Sequence, residues 1–200
     1  MIAIINFGLG NLHSVNKAVA FVGGEAEVTN DAKTILGADK IILPGVGAFQ
    51  DGMAGLQSRR LVPVLLEAAG MGKPILGICL GMQLLFEESE ELGQHRGLGL
   101  LSGKVVHFDH PGIKVPQIGW NQVEVKKSSA ILDGINDGDY FYFNHSYYCV
   151  PEDDETVLTS TDYGVSFASV VNFGKLYGVQ FHPEKSQKTG LRVLKNFVSI

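Results

Sequence analysis

One cysteine framed by glycines is the residue whose type and surroundings most clearly indicate covalent chemistry. It is the centre of the pentad Gly77-Ile78-Cys79-Leu80-Gly81. The apolar residues before this pentad predict a buried strand, and apolar residues after it recur at helical spacing. A strand that turns sharply into a helix, with the nucleophile at the turn, is the layout of a nucleophile elbow. The N-terminus of the helix favours a thiolate, so we predict that Cys79 is a catalytic nucleophile.

A histidine and a glutamate near the end of the chain are candidates for the base that such a nucleophile needs. His182 and Glu184 follow a predicted strand and are two positions apart. His182 would accept the thiol proton and later protonate a leaving group, while Glu184 would hold the imidazole in its productive tautomer. His182 lies beside Cys79 if both strands are in the same sheet, and only folding can bring these distant positions together. Taken alone the pair is weak evidence, because a buried structural thiol is the plain alternative for Cys79.

Two backbone segments are candidates for an oxyanion hole, which stabilises the negative oxygen that forms when a carbonyl is attacked. One is the N–H of Leu80, directly after the nucleophile. The other is the loop 44–47 (Pro-Gly-Val-Gly), in particular Val46 and Gly47, which follows a predicted strand. Donors of this kind are worth ~100- to 1,000-fold in rate each. A simple tight turn is the alternative for the loop.

Three weaker signals do not point to a cofactor. The segment 8–10 (Gly-Leu-Gly) follows a strand but lacks the third glycine of a dinucleotide-binding loop. His107 and His110 are three apart, but without a cysteine partner solvated turn histidines are the more common outcome. No third ligand accompanies His182 and Glu184. We therefore expect no metal and no cofactor.

Composition and charge limit the classes of partner and location. The chain has 200 residues, a formal net charge of -5 and 45% hydrophobic residues, and the acidic balance argues against nucleic acid as the main partner. No segment approaches the ~20 apolar residues of a membrane span, and the first residues do not resemble a signal peptide. Cys149 lies in an apolar alternation and is expected in the core, not in a disulfide. We expect a cytoplasmic protein that binds neither nucleic acid nor a membrane.

The elements that must position Cys79 alternate between strands and helices in the first half of the chain. Strands are predicted at 2–6, 26–29, 40–43 and 75–78, and helices at 11–22, 31–36, 59–70 and after Cys79, where Met82, Leu85 and Phe86 share one face. Strands that are apolar throughout predict a parallel sheet covered by helices on both faces. In such sheets ligands bind at the carboxyl ends of the strands, where the loop 44–47 lies.

The second half of the chain has the pattern of short antiparallel strands separated by Gly, Pro and Asp. Strands are predicted at 104–108, 122–126, 140–143, 146–150, 163–172 and 175–179, followed by a helix at 190–198. The fold class is therefore predicted as α/β, with an open, mixed, mostly parallel sheet, helices on both faces and antiparallel strands in the second half. No repeat or boundary is visible, so residues 1–200 are expected to form one domain.

Two longer motifs give a specific family resemblance. PILGICLGMQLLFE (74–87) and GVQFHPEKS (178–186) are similar to the motifs of the class I (triad) glutamine amidotransferases, whose Cys-His-Glu triad hydrolyses glutamine to glutamate and ammonia. Further segments resemble the branch of this family that serves imidazole glycerol phosphate synthase: FGLGNL (7–12), LPGVGAF (43–49), PQIGWN (116–121) and YFNHSY (142–147). The resemblance covers nearly the whole chain and implies the flavodoxin-like fold of that class.

The resemblance implies a reaction and further site residues. Cys79 would attack the side-chain amide of glutamine, ammonia would leave with a proton from His182, and water would hydrolyse the γ-glutamyl thioester. The loop 45–47 would supply the second oxyanion donor and reorient on activation, although Val46 stands where most of the class has glycine. The residues implied in holding glutamine are Gln83, His145, Ser146 and Tyr147.

The resemblance also implies a partner. In that branch ammonia passes through a tunnel into a cyclase subunit, a (βα)8 barrel, which makes imidazole glycerol phosphate and an aminoimidazole carboxamide ribonucleotide in histidine biosynthesis. The two subunits form a heterodimer. Candidate interface residues are Lys185, Tyr142, Trp120 and Asn11, for which an exposed lysine or a core aromatic is the plain alternative. Rival interpretations are the glutaminase of another ammonia-channelling synthase, a free-standing thiol hydrolase, and a regulatory or binding module that kept the fold without the activity.

Overall fold

Helices and strands alternate in the first half of the chain, and strands dominate the second half. The structure, a computed structural model, describes Met1–Ile200. The strands are β1 (Ile2–Ile5), β2 (Ala26–Thr29), β3 (Lys40–Gly45), β4 (Ile75–Cys79), β5 (Phe86–Ser89), β6 (His95–Arg96), β7 (Leu101–His107), β8 (Gln117–Gln122), β9 (Glu124–Val125), β10 (Tyr140–His145), β11 (Tyr147–Pro151), β12 (Val157–Asp162), β13 (Ser166–Phe173) and β14 (Leu176–Val179). The helices are α1 (Leu12–Phe21), α2 (Ala32–Gly37), α3 (Phe49–Ser58), α4 (Leu61–Gly70), α5 (Leu80–Leu84) and α6 (Gln187–Ser199).

An eight-stranded mixed sheet lies at the centre of the fold, in the order β2-β1-β3-β4-β14-β13-β12-β9. The first five of these strands are parallel to one another. The remaining three pair antiparallel. Beginning as it does with β2-β1-β3-β4, the sheet has the flavodoxin-like order, with ligands expected at the carboxyl ends of the strands. The predicted α/β class with a mostly parallel sheet is confirmed.

Apolar side chains cover both faces of this sheet, because alternate residues of a strand point to opposite sides. Ile5 belongs to a buried cluster that includes Leu65 of α4. Its neighbour Ile4 belongs to a second cluster, which includes Val19 of α1 and Phe197 of α6. Each large apolar side chain buried in this way contributes about 1.5–3 kcal/mol. The helices therefore hold the sheet from both sides, as the apolar strands predict. None of the helices combines the length and the apolar composition that a membrane span requires.

Two smaller sheets extend the fold beside the antiparallel strands. One has the order β11-β7-β5-β6, and the other is the antiparallel pair β10-β8. On the inner face of the β10-β8 pair, Phe141 and Phe143 are fully buried. On its outer face, Ile118, Trp120 and Tyr140 are 60%, 46% and 52% exposed. The pair thus has an apolar face against the core and an apolar face towards solvent.

Two helices differ from the prediction. α3 is absent from it, because Gly52 and Gly55 lower the helix propensity of this segment. α5 is shorter than expected: it ends at Leu84, and Phe86 opens β5, where it pairs with Leu101 of β7. Pairing to a neighbouring strand therefore overrides the helical spacing of the residues after Cys79.

Four strands also differ, and two of them, the short β5 and β6, are absent from the prediction. The prediction of a strand at 122–126 is wrong in its bounds, because β8 lies at Gln117–Gln122 and only the short β9 lies wholly within the predicted range. β12 is absent from the prediction because VLTSTD is polar. The hydroxyls of Thr159 and Ser169 lie 2.7 Å apart within the sheet, and this hydrogen bond lets a polar strand be buried. The other predicted elements agree with the structure closely, with shifts confined to their ends.

The close packing of α5 on β3 predicts a strong effect of one methyl group. A Cβ added at Gly81 would overlap the carbonyl oxygen of Leu43, which is a backbone atom of β3 and cannot rotate away as a side chain would. We expect Gly81→Ala to lower the free energy of unfolding by at least ~3 kcal/mol in urea denaturation. Gly70→Ala is the control, since a Cβ there meets no atom within 4 Å at the end of α4. Equal midpoints for the two variants would contradict the expectation.

Candidate active site

Three neighbouring strands of the central sheet end together. β3 ends at Gly45, which pairs with Cys79 at the end of β4. On the other side of β4, Val179 at the end of β14 pairs with Ile78. The carboxyl ends of parallel strands meet at one edge of a sheet. The loop after β3, Cys79 and the segment leading to His182 are therefore side by side, as the strand-end positions of these motifs predict.

Cys79 occupies a strained turn between β4 and α5. Its φ is 53° and its ψ is -111°, in a region that residues other than glycine rarely adopt. α5 begins at the next residue, Leu80, so the geometry is that of a nucleophile elbow. Because α5 has only five residues, the free N–H groups of its first turn contribute more at the sulfur than a macrodipole does.

His182 and Glu184 form a buried pair next to this turn. Nδ1 of His182 lies 3.0 Å from Oε1 of Glu184, and the two side chains are 2% and 1% exposed. Burial lowers the pKa of His182, but the nearby Cys79 sulfur, the hydrogen bond to Glu184 and the charges of both groups raise that pKa to about 10. Nε2 makes no hydrogen bond of regular geometry. The Cys79 sulfur therefore acts on the imidazole as a close neighbour, and the site favours the protonated imidazolium form of His182.

A cavity of about 290 Å³ opens over Cys79, near the lower end of the size range of small-molecule sites. It is lined by Val46, Gly47, Cys79, Leu80, Gln83, Glu91, Pro116, Asn144, His145, Ser146 and Tyr147. All the residues predicted for the oxyanion hole and for glutamine binding are in this set. A larger, more open depression of about 940 Å³ lies beside α6, and its lining contains neither cysteine nor histidine.

Backbone donors lie on two sides of the cavity. The amides of Val46 and Gly47 donate no hydrogen bond within the protein, and Gly47 has a φ of 100°. Leu80 is the first residue of α5, so its N–H has no acceptor within the helix. Unpaired N–H groups near a nucleophile can stabilise a developing oxyanion.

The carbonyl of Tyr147 organises the polar side chains behind the cavity. It accepts a hydrogen bond from Nε2 of Gln83 at 2.9 Å and one from Nδ1 of His145 at 2.7 Å. Burial lowers the pKa of His145 to about 4, so the ring is neutral at pH 7. Its ring is packed against phenylalanines, including Phe108 and Phe167.

Two residues of the site are absent from the sequence prediction. Glu91 lines the cavity, its Oε2 accepts a 2.7 Å hydrogen bond from the Phe49 amide, and burial raises its pKa. Glu91 is the last residue of an acidic run that is typical of a solvent-exposed segment. No sequence signal therefore distinguishes it from the exposed glutamates before it. Gln180 is 0% exposed, and its Nε2 lies 3.7 Å from the Cys79 sulfur. The sequence does contain a signal for Gln180, because this polar residue directly follows an apolar strand.

Three of the four residues predicted for a partner interface lie together. Nζ of Lys185 is 5.7 Å from the centre of the Tyr142 ring, and the rings of Tyr142 and Trp120 are 6.1 Å apart. Trp120 and Tyr142 pair across β8 and β10. Asn11 belongs to another part of the fold, as the half-buried residue that precedes α1, and its side chain makes no capping hydrogen bond.

The buried pair predicts a measurable titration. Cys79→Ala and Glu184→Gln each remove one group that raises the pKa of His182, so each variant should titrate about 1 to 3 pH units below the wild type. Imidazole ¹⁵N NMR of the isolated chain between pH 5 and 11 measures this, with His182→Gln assigning the resonance. An identical midpoint in the wild type and both variants would show that neither group acts on the ring.

Comparison with known proteins identifies the family of the chain. Residues 3–200 match the family model described as Glutamine amidotransferase class-I. The "Imidazole glycerol phosphate synthase subunit HisH" of Aquifex aeolicus is 53% identical over 195 residues, which cover 97% of this chain and 94% of that protein. The protein of the same name from Moorella thermoacetica is 55% identical over 196 residues, covering 98% and 93%.

The structure of PurLQS from Thermotoga maritima shares the fold, with a TM-score of 0.74 at 20% identity, covering 99% of this chain and 97% of that one. The family indicated by the two motifs is thereby confirmed. The chain belongs to the class-I glutamine amidotransferase family, and within it to the group of imidazole glycerol phosphate synthase HisH subunits.

Proposed function

We propose that this protein is the glutaminase subunit of imidazole glycerol phosphate synthase. It hydrolyses glutamine through a thioester on Cys79 and passes the ammonia to a cyclase subunit, in histidine biosynthesis. One observation carries the proposal: the elbow at Cys79 adjoins the buried His182–Glu184 pair, in a chain about half identical to HisH subunits. Both cysteines are free, and we place the protein in the cytoplasm, where thiols stay reduced.

The first step is attack of the Cys79 thiolate on the side-chain amide carbon of glutamine. The carbonyl oxygen becomes an oxyanion, which the N–H of Leu80 stabilises from the start of α5. The unpaired amides of Val46 and Gly47 are the second source of donors. On this proposal the loop reorients when the partner binds, so that one of these amides points at the oxygen.

The second step is departure of ammonia with a proton from His182. The raised pKa of this ring depends in part on the negative sulfur. When the sulfur bonds to the amide carbon, its negative charge passes to the oxyanion and that contribution ends. The imidazolium therefore gives up its proton more readily to the nitrogen, the C–N bond breaks and the thioester forms as ammonia leaves. Glu184 holds Nδ1 throughout, which keeps Nε2 directed at the reaction. A water then attacks the thioester with His182 as its base, releasing glutamate.

Recognition of glutamine involves charge and shape. The carboxylate of Glu91 is the acidic side chain in the cavity lining and is complementary to the α-ammonium group of an amino acid. Gln83 lines the same cavity, and its Oε1 accepts no hydrogen bond from the protein. The segment His145, Ser146 and Tyr147 borders the cavity and offers backbone groups for the α-carboxylate.

The exposed apolar face of β8 and β10 is the proposed docking surface for the cyclase subunit. Contiguous exposed apolar residues mark interaction sites. This face carries Ile118, Trp120 and Tyr140, and Lys185 beside Tyr142 adjoins it. We place the (βα)8-barrel partner here, in a heterodimer, with ammonia crossing from the cavity. Asn11 is proposed as a further contact.

The proposal is tested by glutaminase assays of the chain alone and with the cyclase subunit and its nucleotide. Glutamate release should rise about 100-fold in the complex, the worth of one oxyanion donor, and Cys79→Ala should abolish it in both settings. Full activity of the isolated chain would favour the free-standing hydrolase. Activation only by a different synthase subunit would favour the other rival.

Glu91 is expected to act on binding more than on chemistry. Glu91→Gln keeps an acceptor for the Phe49 amide but removes the charge that faces the ammonium group. We expect the KM for glutamine to rise at least ~10-fold with kcat nearly unchanged, measured in the complex. Glu88→Gln, an exposed neighbour in the same acidic run, is the matched control and should leave KM unchanged. An equal loss in kcat would show that Glu91 acts in the transition state.

A further inference from the structure

Gln180 is an uncharged polar side chain with no exposure that sits directly behind the nucleophile. Its Oε1 accepts a 3.2 Å hydrogen bond from Nε2 of Gln83, and its Nε2 lies 3.7 Å from the sulfur of Cys79. An amide buried without hydrogen bonds costs several kcal/mol, so buried amides are almost always paired. The role of Gln180 therefore follows from its two hydrogen-bond partners, Gln83 and Cys79.

The direction of both hydrogen bonds follows from one carbonyl. The oxygen of Tyr147 can only accept, so the Gln83 atom that lies 2.9 Å from it must be Nε2. The second hydrogen of that nitrogen points to Gln180, which must present Oε1. If Gln180 were turned over, two N–H donors would face each other. Its Nε2 is thereby directed at the sulfur.

We propose that Gln180 is a catalytic residue that donates a hydrogen bond to the Cys79 sulfur and stabilises its thiolate. A thiolate accepts hydrogen bonds more strongly than a thiol, and a group that donates to the charged form favours that form. The thiol form has its own acceptor, the Asn144 carbonyl, at the longer distance of 3.9 Å. The inference rests on the function proposed above and adds a residue to its mechanism.

The hydrogen bonds from Gln83 to Gln180 and from Gln180 to Cys79 connect the sulfur to the substrate cavity. Both hydrogens of the Gln83 amide are used inside the protein, which leaves its Oε1 for a ligand. A substrate glutamine that donates a hydrogen bond to Oε1 of Gln83 polarises the Gln83 amide. The hydrogen bond from Gln83 to Gln180 becomes stronger as a result. That in turn strengthens the donor at Cys79. Occupation of the cavity and activation of the nucleophile are linked through two side chains.

Alkylation of the isolated chain by iodoacetamide, followed by mass spectrometry between pH 5 and 9, tests the proposal. Gln180→Leu keeps a similar volume and removes the donor. At pH 7 its Cys79 should react about 10-fold more slowly than in the wild type, with the midpoint of the pH profile moved upward. Gln180→Met serves if the leucine variant does not fold. Peptide mapping separates Cys79 from Cys149, which is buried and whose pKa burial raises well above the ordinary value.

Asn196→Leu is the matched control. Asn196 is also a buried amide with two hydrogen bonds, to the carbonyls of Ile131 and Asp133, and it does not line the cavity. We expect this variant to lose stability with an unchanged alkylation profile. The same result for Gln180→Leu would overturn the proposal. A wild-type chain that shows the profile but never hydrolyses glutamine in the complex would refute the proposed function alone.

Discussion

The backbone turn at Cys79 is the constraint on which the rest of the site depends. A φ of 53° at a residue other than glycine costs on the order of 1–3 kcal/mol and persists only where its surroundings hold it. Here β4 is held between β3 and β14, and α5 packs closely on β3 at Gly81. The turn presents the sulfur at the edge where three strands end, so one strained residue makes the nucleophile accessible to groups from both neighbouring strands.

Two of the buried polar groups around this turn are the histidines His182 and His145. The two histidines respond to pH in opposite ways. The raised pKa of His182 contributes stability that is complete below pH 6.5 and is lost as the pH rises through about 10. The pKa of His145 is lowered to about 4, so the folded state loses stability as the pH falls from 6.5 towards 4. The site is therefore most stable near neutrality, because more acidic conditions charge His145 at a cost and more alkaline conditions remove the contribution of His182.

The sequence predicts those features that follow from local patterns. The glycines around Cys79 predict the elbow, and the apolar strands predict the parallel sheet and the edge where His182 meets it. The helix α3 and the strand β12 are missed, since tertiary packing overrides the propensities of their residues. Glu91 is missed because charge alone does not tell a ligand-facing carboxylate from a solvated one. The prediction of one domain stays a prediction, as do the roles assigned to the site residues.

The shortness of α5 has a consequence for substrate selection. After a single helical turn the chain enters β5, and this return carries Glu91 back to the cavity that Cys79 occupies. On the proposed roles, one continuous segment sets the distance between the attacking sulfur and the carboxylate that binds the ammonium group. That distance must match the length of the bound amino acid from its α-carbon to its side-chain amide. Asparagine is one methylene shorter than glutamine, so on these roles the segment selects glutamine over asparagine by the length of the side chain.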